Sequence, residues 1–132
     1  ANHTILSTDE SVGKAVKTLT SGRGVDVILD HVGAPLFADN LRSVAWGGTI
    51  ATCGATGGFE VGLDMRQVFF KQVAIVGSTM GSKADLYHVL RLVDRGLLTP
   101  VLDRVFALED ASAAHEHLEK GGQFGKVVLR VD

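Results

Sequence analysis

Three short apolar runs, each stopped by a glycine-bearing turn, set the pattern of the chain between Val25 and Thr79. The first is Val25 to Asp30, followed by His31-Val32-Gly33. The second is Thr49 to Cys53, which runs into Gly54-Ala55-Thr56-Gly57-Gly58. The third is Val73 to Val76, which runs into Gly77-Ser78-Thr79-Met80-Gly81. Short, β-branched runs without alternation are what strands of a buried parallel sheet look like.

Helical spacing fills the intervals. Ser7, Thr8 and Asp9 offer N-cap oxygens, and Val12, Val16 and Leu19 share one helical face that Gly22 closes. Pro35 suits a first helical turn, and Phe37, Leu41 and Val44 then fall on one stripe. Asp64 caps a short helix through Met65, Val68 and Phe69. Ser82 to Asp85 reads as a capping box, and the helix behind it should turn Leu86, Val89, Leu90 and Val93 inward until Gly96 stops it. Beyond Pro100 come a run from Val101 to Leu108, a helix from Glu109 to about Lys120, and a strand from Val127 to Val131. Two weaker strands are expected at His3–Leu6 and Phe59–Leu63. Strand, turn and helix in repetition predict an α/β fold around a parallel sheet.

Composition narrows this picture. A chain of 132 residues is one domain's worth, with 45% hydrophobic but only 6% aromatic residues, which is an aliphatic core. A net charge of -2 gives no electrostatic case for nucleic acid or an anionic membrane surface. The single Cys53 excludes an internal disulfide, and no spacing suggests a zinc site. No apolar run approaches the ~20 residues of a membrane span. A soluble, cytoplasmic protein is therefore expected. The opening Ala1-Asn2-His3, without Met, reads as the middle of a longer protein.

In a parallel sheet, ligands bind where strands end, because all carboxyl ends lie on one side and glycine lets the backbone come close. Taken singly, each glycine turn is better read as strand punctuation, since glycine is the default turn residue. Together the three turns point to one ligand edge, with Thr56, Ser78 and Thr79 adding hydroxyls. No strand is followed by Gly-x-Gly-x-x-Gly, and no Gly-Lys-Ser/Thr loop is present, so the usual pyrophosphate-binding turn is missing from these residues. His88, His115 and His117 read as ordinary surface or packing residues. His31 sits at the presumed ligand edge, where a structural role and a hydrogen bond to a ribose both stay open. Cys53 has no neighbouring base or cation to make it a nucleophile. No catalytic residue and no metal ligand is assigned.

The succession of these segments resembles the carboxyl-terminal part of the medium-chain dehydrogenase/reductases. Gly24 through Gly33 is similar to that family's fourth Rossmann strand, Gly47 through Gly57 to its fifth, and Phe69 through Ser82 to its sixth. Asp103 through Ala111, then His115 and Gln123 through Leu129, resemble its final segment. The nearest subgroup looks like the quinone-oxidoreductase and zinc-binding-dehydrogenase type.

The resemblance implies a partial Rossmann-like parallel sheet, its second half, over 1–100, and a C-terminal strand-helix-strand segment over 101–132. That segment would pack on a catalytic domain outside this sequence. It also implies a fragment of an NAD(P)-dependent oxidoreductase, with NADP placed slightly ahead of NAD and no zinc in this chain. The parent would pass hydride to or from a quinone, enone or alcohol. His31, Val32, Gly33, Cys53, Gly54, Ala55, Thr56, Gly77, Ser78 and Thr79 would line the nicotinamide side of the cofactor. The partners implied are a small-molecule substrate and a second copy, paired through the strand at 73–77. On its own the chain is expected to be inactive. The competing reading is a non-catalytic Rossmann-like module that binds a nucleotide or dimerises. Flavodoxin-like and receiver-type domains fit less well, since the first needs a hydroxyl-rich phosphate loop and the second an acidic cluster.

Overall fold

The structure, a computed structural model, describes residues 1–131. It divides into two compact units, Ala1–Met80 and the segment from Gly81 onward. The division expected at 100 assigned the Ser82 helix to the first part. By compactness that helix groups with the segment from Gly81 onward, which does not decide to which domain of a longer protein it belongs.

The first unit runs α1 (Val12–Leu19), β1 (Val25–Asp30), α2 (Ala34–Ser43), β2 (Val44–Thr52), α3 (Met65–Lys71) and β3 (Ala74–Gly77). The strands form one sheet in the order β1-β2-β3, all parallel. Register places Ile28, Ile50 and Ile75 in one row and Leu29, Ala51 and Val76 in the next. Partners in a parallel register share a face, so the rows alternate between the two sides. The isoleucine row faces the core. Ile50 and Val44 are fully enclosed, with Phe37 and Leu41 from α2, and Val68 from α3 packs against them. On the opposite side Val27 is 63% and Leu29 76% exposed. One face of this parallel sheet is therefore uncovered, where such sheets are normally buried on both.

Several local expectations change. His3–Leu6 and Phe59–Leu63 are not strands. The cap of α1 is Ser11, whose Oγ accepts from the Lys14 amide, and not Ser7, Thr8 or Asp9. The buried residues of α1 are Gly13 and Ala15, while Leu19 is 47% exposed. Asp39 of α2 explains the shift. Its Oδ2 accepts from Ser11 Oγ at 2.9 Å and Gly13 N at 3.1 Å. That contact draws the start of α1 so close to α2 that only small residues fit between them. Val44 completes the apolar stripe of α2 but is already strand, with ψ 138°. Ser43 Oγ turns back onto the Asp39 carbonyl at 2.6 Å, and Lys71 Nζ donates to the carbonyls of Leu41, Arg42 and Val44. A cation on those carbonyls is the charge complement a helix C-terminus favours.

The second unit runs α4 (Lys83–Asp94), β4 (Leu102–Ala107), a 3-10 turn (Leu108–Asp110), α5 (Ala111–Glu119) and β5 (Lys126–Arg130). β4 and β5 pair in parallel, with α5 as the crossover. The expected capping box is present: Ser82 Oγ accepts from Asp85 N at 3.2 Å, and Asp85 Oδ2 accepts from Ser82 N at 2.8 Å. The apolar stripe of α4 was expected to point inward, yet Leu86, Val89 and Leu90 are 56%, 46% and 47% exposed. Periodicity identifies an apolar face and says nothing of whether this chain covers it. Asp103 joins three segments of this unit. Its carboxylate takes His117 Nε2 at 2.7 Å and the Phe124 amide at 3.1 Å.

Candidate functional site

The carboxyl ends of β1, β2 and β3 lie side by side, because Asp30 pairs with Thr52 and Thr52 with Gly77. Each strand then breaks into one of the glycine turns. The first two turns are laced together. Cys53 N donates to the Asp30 carbonyl at 2.8 Å, and Gly57 N to the Val32 carbonyl at 2.8 Å. Thr56 donates to the His31 carbonyl from its amide at 3.2 Å and from its hydroxyl at 3.1 Å. Ala34 N closes the lattice on the Gly58 carbonyl at 2.9 Å. The third turn is tied on by Ser78 N, which donates to the Thr52 carbonyl at 2.9 Å.

Gly33 has to be glycine. Its φ is 84°, and a Cβ there would lie only 2.3 Å from the Gly58 carbonyl oxygen. It sits at the start of α2, between the turn and the helix.

Asp30 organises the first turn from below. The residue is only 4% exposed. Its Oδ1 accepts from Val32 N at 2.9 Å and Gly33 N at 3.2 Å, an Asx-type turn. Its Oδ2 is enclosed and accepts no hydrogen bond among the described residues. Beside it opens a cavity of about 310 Å³, bounded by Asp30, Gly33, Gly54 and Ala55 and by Phe59 and Leu63 from the following loop. Its surface is mostly apolar. A wider hollow of about 390 Å³ is bounded by residues of α4 and its C-terminal cap Arg95, so it is a helix surface and carries no chemistry.

The ten residues expected at a ligand edge thus occupy three adjoining turns. His31, Cys53, Ala55, Thr56, Gly77, Ser78 and Thr79 are exposed there, Val32 and Gly54 are half-buried, and Gly33 is buried. The Thr56 hydroxyl donates its hydrogen to the lattice, which leaves it an acceptor only. Asp30 and Phe59 are not among those ten, although Asp26 and Asp30, which bracket the apolar centre of the first run, are a pair of which one or both should reach solvent or a ligand. An Asp three positions before a glycine, at a strand end, is a signal that could have identified the turn role of Asp30. Phe59 left no such trace. Among the described residues, no cluster of three or more metal-ligating side chains occurs.

The zinc-binding dehydrogenase family profile matches residues 1–129. The chain belongs to that family. An NAD-dependent alcohol dehydrogenase of Sulfolobus acidocaldarius is 33% identical over 120 residues, which are 88% of this chain and 34% of the relative. The crystal structure of an NAD-dependent alcohol dehydrogenase superposes with a TM-score of 0.89 at 43% identity, covering all of this chain and 38% of the other. A 2-octenoyl-CoA carboxylase reductase, solved with NADP and 2-octenoyl-CoA, superposes with a TM-score of 0.78 at 28% identity. It is covered over 29% of its length, against 92% of this chain. The chain therefore spans less than two-fifths of these proteins. Its fold is the parallel α/β, Rossmann-like fold of this family's dehydrogenases, as the residue pattern and the resemblance predicted.

Proposed function

We propose that this chain forms the nicotinamide-side wall of an NAD(P) site in a longer hydride-transferring oxidoreductase. The observation that carries the reading is the laced glycine lattice at the carboxyl edge of a parallel sheet, next to an apolar cavity that Asp30 helps to line. Ligands of such sheets bind at that edge. Gly33 and Gly54 let the first two turns pack against each other, and the exposed Ala55, Ser78 and Thr79 would face the ligand, the last two with hydrogen-bonding groups at the third turn. His31, Val32, Cys53, Thr56 and Gly77 complete the wall.

Bound there, the nicotinamide would accept or donate the hydride. The chain's own residues would hold the ring and keep water from one side of it. None supplies an acid or a base. The parent's substrate would be a quinone, enone or alcohol. NADP stays slightly ahead of NAD, and zinc has no place in this chain.

The parent would work as a homodimer through β3. That strand is paired on one side only, by β2, and all of its residues are exposed, which is an edge ready for a second copy. The segment 101–132 would pack on the catalytic domain, and 1–100 would belong to the cofactor domain. A cytoplasmic location is part of the same reading. No helix among the described residues is long and apolar enough to cross a membrane.

Titration with NADPH and NADH, followed by nicotinamide fluorescence, tests this. The full-length gene product should bind. This chain alone should bind far more weakly, because it lacks the pyrophosphate turn. Absence of binding by the full-length product refutes the cofactor reading. Tight binding by the chain alone refutes the claim that the affinity lies mainly in the missing turn.

A further inference from the structure

Asp30 does more than its turn requires. One oxygen, Oδ1, takes both amides of the Asx-type turn, at 2.9 Å and 3.2 Å. A neutral Asn or Ser forms such turns as well. The second oxygen is enclosed and unpartnered, a costly arrangement for a buried polar atom. The residue lines a cavity whose walls include Phe37, Phe59 and Leu63. The unpartnered oxygen itself is closed off from the cavity, so a charge there would act on a bound ring across the intervening protein, which cannot reorganise around it as water does.

We infer that the carboxylate of Asp30 makes this site distinguish the two redox forms of a nicotinamide, favouring the oxidised ring. The inference rests on the cofactor reading above. An oxidised nicotinamide is a pyridinium cation, and the reduced ring is neutral. A fixed negative charge lowers the energy of the cation and leaves the neutral ring nearly unaffected. A cavity of about 310 Å³ keeps anything inside it within roughly 8 Å of its lining. Across that distance, effective dielectric constants between about 80 and 20 translate into a preference of roughly 2- to 30-fold. The role is one of positioning and electrostatics, and Asp30 takes no part in bond making.

Asp30→Asn separates this role from a merely structural one. It keeps an oxygen for the Val32 and Gly33 amides and removes the charge. Dissociation constants for NAD+, NADH, NADP+ and NADPH are measured on the full-length gene product and on this variant. The oxidised-to-reduced affinity ratio should fall roughly 2- to 30-fold in the variant, with reduced-form affinity held within about twofold. Asp30→Leu, which loses the charge and the turn acceptor, should lower the ratio in the same way and in addition weaken the reduced form. Asp30→Ser keeps a hydroxyl acceptor and serves as the uncharged variant if Asp30→Asn does not fold. An unchanged ratio in a folded uncharged variant overturns this inference alone. Binding of neither redox form by the unmodified protein overturns the cofactor reading, and this inference with it.

Discussion

Replacing Gly33 by Ala tests the lattice directly. The backbone there has φ 84° and ψ -130°, a region that costs an L-residue about 1–3 kcal/mol. The added Cβ would stand 2.3 Å from the Gly58 carbonyl oxygen and 3.1 Å from Ala55. Backbone cannot approach so closely, so the 54–58 loop must lift. Lifting it breaks the bonds from Ala34 N to the Gly58 carbonyl and from Gly57 N to the Val32 carbonyl. Each is worth about 1 kcal/mol. Against this, alanine restricts the unfolded chain and returns about 0.5–1 kcal/mol. The net loss is then roughly 2–4 kcal/mol. At about 4 °C or more per kcal/mol for a domain of this size, the melting temperature should fall by roughly 10 °C or more. Gly47→Ala is the control. Gly47 also has positive φ, 71°, but nothing lies within 4 Å of an added Cβ. Its net cost should be about 0.5–1 kcal/mol. Thermal unfolding of the purified chain, followed by far-ultraviolet circular dichroism, compares the two. If Gly33→Ala melts within about 3 °C of Gly47→Ala, the close-approach reasoning is wrong.

Further outcomes follow from the other contacts. Asp39→Ala should destabilise the chain by roughly 2–3 kcal/mol in urea unfolding, since it strips acceptors from Ser11, Gly13 and Arg42 at once. The Gly13 amide, with help from Ser11 and Arg42 and against the burial, holds the Asp39 carboxyl below its ordinary value. Its stabilisation is therefore present above the unfolded value near pH 4 and is lost as pH falls through the lower folded one, an acid-side loss that the Ala variant should lack. Lys71→Met should cost roughly 1–2 kcal/mol by the same assay, because three carbonyls at the α2–β2 junction lose their cation. In the second unit, the Phe124 amide and then His117 keep the Asp103 carboxyl below its usual range. His117→Ala should move its midpoint upward in a carboxyl-carbon NMR titration, and an unmoved midpoint would show that the 2.7 Å contact does not form in solution.

Much of this protein was legible in its residues. β-branched runs such as Val25–Asp30 and Thr49–Cys53 state strand, and the glycines behind them state turn, because both are local steric preferences. The capping box at Ser82 and the Asp64 cap were legible for the same reason: donor and acceptor lie within a few residues of each other. The order of elements then predicted a parallel sheet with a ligand edge. What failed was everything that depends on distant partners. The buried side of α1 was misjudged because Asp39, 26 positions from Gly13, draws that helix in. The stripe of α4 was expected to be covered, yet an apolar face says nothing of whether a partner lies within the same chain. Val44 fitted a helical stripe, but its pairing with Val25 made it strand. That the Thr56 hydroxyl gives its hydrogen to the His31 carbonyl, 25 positions away, was not legible either. The sequence by itself determined the strands, the turns and which edge they face. Only the tertiary structure decided that two turns are stitched into one lattice over Asp30, with a single oxygen left over, because hydrogen-bond partners far apart in the chain meet only after folding.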